Sequence, residues 1–217
     1  MHIPDGFIPL WQCIIYFAIA APFVYQSIRW ANREMDEKKI PLMGVLAAGI
    51  FAIQAMNVPI MWGTSGHMVG AAMAAIILGS PFAGVFLITV VLIIQAVMFG
   101  DGGVTTLGAN ILNMGIISSF IGYYAYVGLR RIGTDEKAVA ARVFIGAWLG
   151  IFIAALVCAV EMWLAGTFPL AQGLFFMGLY HAVIGIVAEG TISAVVVVTL
   201  QKYRSDIFNP RPEVIPS

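Results

Sequence analysis

The sequence predicts an all-α integral membrane protein of seven transmembrane helices, with its N-terminus outside and its C-terminus in the cytoplasm. Three observations carry this. Hydrophobic residues make up 61% and charged residues only 10% of the 217 positions, and mean hydropathy is +0.95; a soluble domain keeps roughly 25% charged residues for its surface. Apolar runs long enough to meet a bilayer recur along the whole chain. Once these runs are threaded through a membrane, every Lys and Arg falls on one side of it.

The runs are Ile8–Trp30, Pro41–Met56, His67–Leu78, Phe82–Phe99, Asn110–Leu129, Ala140–Leu164 and Ala171–Leu200. The third is short for a span and the last long enough to tilt. Of the 11 Lys and Arg residues, Arg29, Arg33, Lys38 and Lys39 follow the first run. Arg130, Arg131, Lys137 and Arg142 flank the fifth and sixth, and Lys202, Arg204 and Arg211 follow the seventh. The opposite segments, 1–7, 57–66, 100–109 and 165–170, carry none. The positive-inside rule therefore asks for an outer N-terminus, and an even number of spans breaks the pattern. Residues 1–217 read as one membrane domain without internal repeats, ending in an irregular cytoplasmic tail from Asn209 to Ser217.

Composition also excludes classes. A formal net charge of zero leaves no basic field for nucleic acid. Cys13 and Cys158 lie inside apolar runs without metal-type spacing and read as small buried hydrophobes. No basic region precedes the first apolar run, so no signal peptide is expected and Met1 is expected to persist with a free amine. His2 agrees, because the enzyme that trims initiator Met prefers a small second residue.

That amine makes His2 chemically important. A metal ion held by the Met1 amine closes a five-membered ring with a deprotonated His2 amide nitrogen, and a six-membered ring with the His2 imidazole Nδ1. The three nitrogens are nearly coplanar, which suits Ni(II) and Cu(II). One equatorial position stays open for a second histidine. His67 is the candidate, with His181 as the other histidine on the outer side: His67 opens the third run after the outer loop 57–66. Ser65 reads as a helix N-cap, which puts His67 in a first helical turn, where the dipole disfavours imidazolium and leaves the neutral ring that ligation needs. A histidine at position two can equally be a solvated terminal residue, and one at a helix start a structural one. The residues alone leave both readings open.

Small residues Gly44, Ala48 and Ala52 recur every four positions on the second run, and Gly70 and Ala74 on the third. They fit either internal close packing or a docking face for another membrane subunit. Glu161 and Glu189 lie within the sixth and seventh runs, where ionisable residues are costly. Glu161 reads as interfacial beside Trp163, and Glu189 as a deeper brace. Asp5 is expected to orient the N-terminal strand or offset a cation, and Thr64 and Ser65 to bond a ligand ring or the loop. Asn110 and Asn113 read as hydrogen-bonded packing residues, Asp101-Gly102-Gly103 as a turn, and Gly63 and Gly66 as freedom for the loop to wrap an inserted N-terminus.

The opening Met1-His2-Ile3-Pro4-Asp5-Gly6-Phe7-Ile8-Pro9 resembles the N-terminal signature of the nickel and cobalt substrate-binding subunits of energy-coupling-factor ABC importers, the NikM/CbiM family. Pro59-Ile60-Met61-Trp62-Gly63-Thr64-Ser65-Gly66-His67 and Gly108-Ala109-Asn110-Ile111-Leu112-Asn113-Met114-Gly115 are similar to it as well, and the match spans essentially the whole chain. The resemblance implies an N-terminal chelating segment plus added first helix (1–40) on a six-helix core (41–217). It implies metal ligation by Met1, His2 and His67, with Ni²⁺ as transported substrate and no organic cofactor. Pro4-Asp5 resembles the nickel members, Co²⁺ being the alternative. It further implies a transmembrane coupling (T) subunit, cytoplasmic ATPase subunits, a small accessory membrane subunit, and residence in a prokaryotic cell membrane. The chain has no Gly-rich phosphate loop, so it is not expected to be an enzyme and ATP hydrolysis falls to the partners. A stand-alone metal transporter is the rival reading, and a membrane metalloenzyme, which needs an open metal position and a base, is a more distant one.

Overall fold

The computed structural model describes residues 1–60 and 63–205. Met61 and Trp62 of the outer loop, and the tail with Arg211, lie outside the described residues. After an extended N-terminal segment come helices α1 (Leu10–Glu34), α2 (Lys39–Gln54), α3 (Ala71–Leu78), α4 (Pro81–Phe99), α5 (Leu107–Ile132), α6 (Glu136–Leu164) and α7 (Leu170–Tyr203). Among the described residues, α1, α4, α5, α6 and α7 are long and apolar enough to cross a membrane. Two short strands, β1 (Val58–Pro59) and β2 (Ser65–Gly66), pair antiparallel between α2 and α3.

Local chemistry sets the boundaries. Helix α1 starts behind Pro9, and Asp36 Oδ1 accepts from the Lys38 and Lys39 amides at the start of α2. Gly79 ends α3 in the left-handed conformation, then Ser80 caps α4 with Pro81 at its first position. Three rods contain a stretch of π-helix: Gln95–Phe99 in α4, Ile111–Ile117 in α5 and Gly185–Gly190 in α7. Such turns re-aim side chains and cluster at functional sites. Here they carry Gln95, Asn113 and Glu189, all buried.

The core forms around α3, which is buried over its whole length and packs against α4, α5 and α6. Gly122 of α5 lies against Ala72 and the Gly146 carbonyl so closely that a Cβ there finds no room. Backbones meet in this way where small residues replace lipid-like side chains.

The third expected span differs from its prediction. Only eight residues are helical, roughly 12 Å of rise against a hydrocarbon core of about 30 Å. Ser65 is no N-cap: it sits in β2, and residues 67–70 are irregular, ending on Gly70 in the left-handed conformation (φ +76°) before α3 begins at Ala71. Buried partners hold them there. Glu189 accepts from the Val69 amide at 2.5 Å and the Gly70 amide at 2.9 Å, and Gln54 Nε2 donates to the Val69 carbonyl at 2.8 Å. The bond from Gln54 takes up the Val69 carbonyl, an acceptor that a helix begun at His67 would use itself. Glu161 also departs from its interfacial reading. It is buried and accepts from Asn113 Nδ2 at 2.5 Å, while Trp163 stays exposed.

Candidate metal centre

The segments without Lys or Arg converge at one end of the bundle, and the N-terminal strand is laid into them. Ile3 is gripped on both sides. Its amide donates to Asn110 Oδ1 at 2.8 Å, and its carbonyl accepts from Asn110 Nδ2 at 3.1 Å, Thr106 Oγ1 at 2.5 Å and the Gly103 amide at 3.1 Å. Asp5 accepts from the Val104 amide and from both the amide and hydroxyl of Thr105. These bonds, that to the Thr105 hydroxyl foremost, hold its carboxyl below the usual range. Phe7 O accepts from Thr167 Oγ1 at 2.5 Å, and the Phe7 ring lies against Gly63, whose φ of +77° a side chain would strain.

Gly103 is the tightest point of this cradle. A Cβ built there falls on the Asp5 carboxylate and amide and on Thr106 Oγ1. Gly103→Ala is therefore expected to lift the strand at an overpacking cost of about 1–3 kcal/mol. Limited proteolysis of the N-terminus should accelerate, and unchanged protection would show that the close approach can relax.

The strand delivers Met1 and His2 into the protein, where they are buried, Met1 completely. The Met1 amine donates to the Ser65 carbonyl, with Ser65 Oγ at 3.5 Å. Burial pulls the amine from its ordinary 8.0 to about 5, so at neutral pH the nitrogen is an unprotonated donor. His2, lowered to about 3 chiefly by burial, is neutral too. Its Nε2 sits 3.1 Å from Gln95 Oε1, an acceptor, so the proton is on Nε2 and Nδ1 carries a bare lone pair.

His67 is buried beside it, the two rings stacked with centroids 4.6 Å apart and planes at 28°. Its Nδ1 donates to the Met68 carbonyl at 2.8 Å, leaving Nε2 with no hydrogen-bond partner. The ring is thus kept neutral by burial and not by a helix end. His2 Nδ1 is equally without a hydrogen-bond partner, and the Asp101 carboxylate faces it at 3.5 Å. Two electron-rich atoms face each other there, an arrangement that a cation relieves.

The other sequence-predicted residues stand around this cluster in different roles. Asp5 anchors the strand. Ser65 receives the amine. Thr64 Oγ1 points instead to Met177 Sδ at 3.5 Å. His181 is buried, bonded through Nδ1 to the Met177 carbonyl at 2.8 Å, with Nε2 unpartnered. Gly44, Ala48 and Ala52 lie elsewhere, on the exposed face of α2, whereas Gly70 and Ala74 pack inside the fold. Sequence reasoning passed over Gln54 and Gln95, buried glutamines in apolar runs, and gave Asn110 only a packing role. The available signal was an amide side chain in a segment otherwise built for lipid.

Over residues 2–207 the sequence matches the CbiM family, the cobalt uptake substrate-specific transmembrane region. The chain belongs to this family. It is therefore a multi-pass membrane component of prokaryotic metal uptake. The CbiM-family chain is 36% identical to the fused nickel transport protein NikMN of Rhodobacter capsulatus, over 97% of its own length and 65% of the relative's. It is also 36% identical to the cobalt transport protein CbiM of Geobacter sulfurreducens, over 96% of its length and 61% of the relative's. A crystal structure of a transition metal transporter superposes with a TM-score of 0.85 at 36% identity, covering 93% of each chain.

Proposed function

We propose that this chain is the substrate-binding component of an energy-coupling-factor ABC importer, and that it captures Ni²⁺ at the outer face for ATP-driven uptake. The observation that carries the reading is the pair of buried, stacked imidazoles, each with one nitrogen engaged and the other bare, beside a buried terminal amine. With Met1 as the mature first residue, the ligands are the Met1 amine, the His2 amide nitrogen, His2 Nδ1 and His67 Nε2. Four nitrogens in a plane favour Ni(II). The amidate and Asp101 together offset the charge of the ion, which keeps a divalent cation tolerable in a buried site.

In this reading the chain crosses the membrane seven times, with α2 and α3 and the segments before them completing two further crossings, N-terminus out. The basic ends meet a coupling T subunit, two cytoplasmic ATPases that hydrolyse ATP, and a small accessory membrane subunit. The exposed Gly44, Ala48 and Ala52 face of α2 supports a docking role toward the coupling subunit. A cobalt reading is kept because the family is described by cobalt uptake and one relative is a cobalt transport protein.

Titration of the purified protein with Ni²⁺ and Co²⁺ tests this. One Ni²⁺ per chain, a yellow diamagnetic square-planar spectrum and tighter binding than Co²⁺ are expected. A six-coordinate spectrum removes the four-nitrogen site, and tighter Co²⁺ binding favours the cobalt reading. The pH dependence adds a second measurement. The amine and both imidazoles are already unprotonated at pH 7, so only the amide proton leaves on binding. Affinity should then rise about tenfold per unit between pH 7 and 8, not the hundredfold that an ordinary amine near its own pKa would approach.

A further inference from the structure

A chain of buried amides runs from the backbone ahead of α3 to the His2 ring. Gln54 Nε2 donates to the Val69 carbonyl at 2.8 Å, Gln95 Nε2 donates to Gln54 Oε1 at 2.9 Å, and Gln95 Oε1 meets His2 Nε2 at 3.1 Å. Both glutamines are buried, Gln54 fully and Gln95 to 1% exposure. The chain has a direction. A carbonyl only accepts, so Val69 O obliges Gln54 to present its NH₂ and turn its oxygen outward. That oxygen obliges Gln95 to present its own NH₂, which leaves Gln95 Oε1 facing the ring. An acceptor there obliges His2 to carry its proton on Nε2.

Reversing any one amide sets two donors or two acceptors against each other in a buried site, which costs about 1–3 kcal/mol. The π-turn that begins at Gln95 supplies the aim, since a side chain leaving a π-turn is rotated from its α-helical direction. The fixed end of the chain is itself held. Val69 and Gly70 give their amides to Glu189, so the acceptor that sets the sequence of donors cannot rotate away.

We propose that Gln95, oriented by Gln54, is a positioning residue that fixes the His2 ring and its tautomer with Nδ1 bare for the metal; this rests on the N-terminal chelate described above. Neither glutamine need touch the ion. The fixed ring spares the rotational freedom and tautomer change that a free imidazole loses on ligation. Because Gln54 belongs to α2, the same chain ties the ring to the helix whose outer face carries Gly44, Ala48 and Ala52.

The test uses the full-length protein in detergent with Ni²⁺ as probe. In the metal-free wild type labelled with ¹⁵N-histidine, the ring shifts should report His2 protonated on Nε2, and His67 and His181 on Nδ1. A His2 protonated on Nδ1 overturns the proposal without any variant. Gln95→Leu should weaken Ni²⁺ binding about 10- to 100-fold and give a mixed His2 ring signal. Gln95→Glu, which as a neutral acid donates its O–H to Gln54 Oε1 and still accepts from Nε2, should lie closer to wild type, a rescue that a merely structural role does not predict. Should Gln95→Leu fail to fold, the wild-type ring signals decide. His2→Ala separates the two readings. If it abolishes binding while Gln95→Leu binds as wild type, the relay falls and the chelate stands. If His2→Ala itself binds as wild type, the chelate reading falls and takes the relay with it.

Discussion

One residue added ahead of Met1, or His2→Ala, is expected to weaken Ni²⁺ binding by about 10²–10⁴-fold, the usual worth of donors already tethered to one another. The extension turns the Met1 amine into an amide nitrogen and moves the new amine out of the chelate ring. It also has nowhere to go, because Met1 has no exposed surface and its nitrogen already contacts the Ser65 carbonyl. His2→Ala removes the imidazole donor and leaves the Gln95 oxygen without its partner. The strand keeps its other anchors at Ile3, Asp5 and Phe7, so the loss of stability should stay within about 1–3 kcal/mol, the cost of that unpartnered oxygen. Isothermal titration beside a melting curve reads both quantities. Wild-type affinity in the extended protein would remove the terminal amine from the site, whatever His2→Ala does.

Glu189→Leu is expected to act on stability and binding together. Its carboxylate is the acceptor for two buried amides, Val69 and Gly70. Each amide left without a partner costs about 1–3 kcal/mol, so the variant should lose about 2–6 kcal/mol. The residues released lie two and three positions beyond His67, and Val69 also holds Gln54 in place. Nickel affinity should fall with the melting temperature. Glu189→Gln keeps one acceptor oxygen and should lose less than half as much. Unchanged melting of Glu189→Leu would mean that water or a rearranged turn satisfies the amides.

Much of this was legible along the chain. Long apolar runs placed the five membrane-length helices of the described residues within a few positions, and the charge pattern grouped the segments that converge on the N-terminal strand. The motif at Met1-His2 and the histidine at position 67 marked residues that the fold brings into ring contact. The helix over His67–Leu78 was only half right. Its apolar run is continuous, but the backbone at Val69 and Gly70 is held out of the helix by Glu189 and Gln54, 120 and 15 positions away from Val69. Glu161 was placed at an interface by its neighbour Trp163, yet it turns inward to Asn113 from the opposite face of the same helix.

The sequence by itself determined what depends on summed, local quantities: transfer to lipid, the distribution of charge along the chain, and the candidate chelating pair of two consecutive residues, Met1 and His2. Tertiary structure alone decided which nitrogen of each imidazole is bare, that Met1 is buried deeply enough to lose its proton near neutrality, and that two glutamines orient His2. The glutamine chain is made of single contacts between positions 15 to 93 residues apart. A hydrogen bond depends on angstroms and on which atom faces which, and no average along a chain records that.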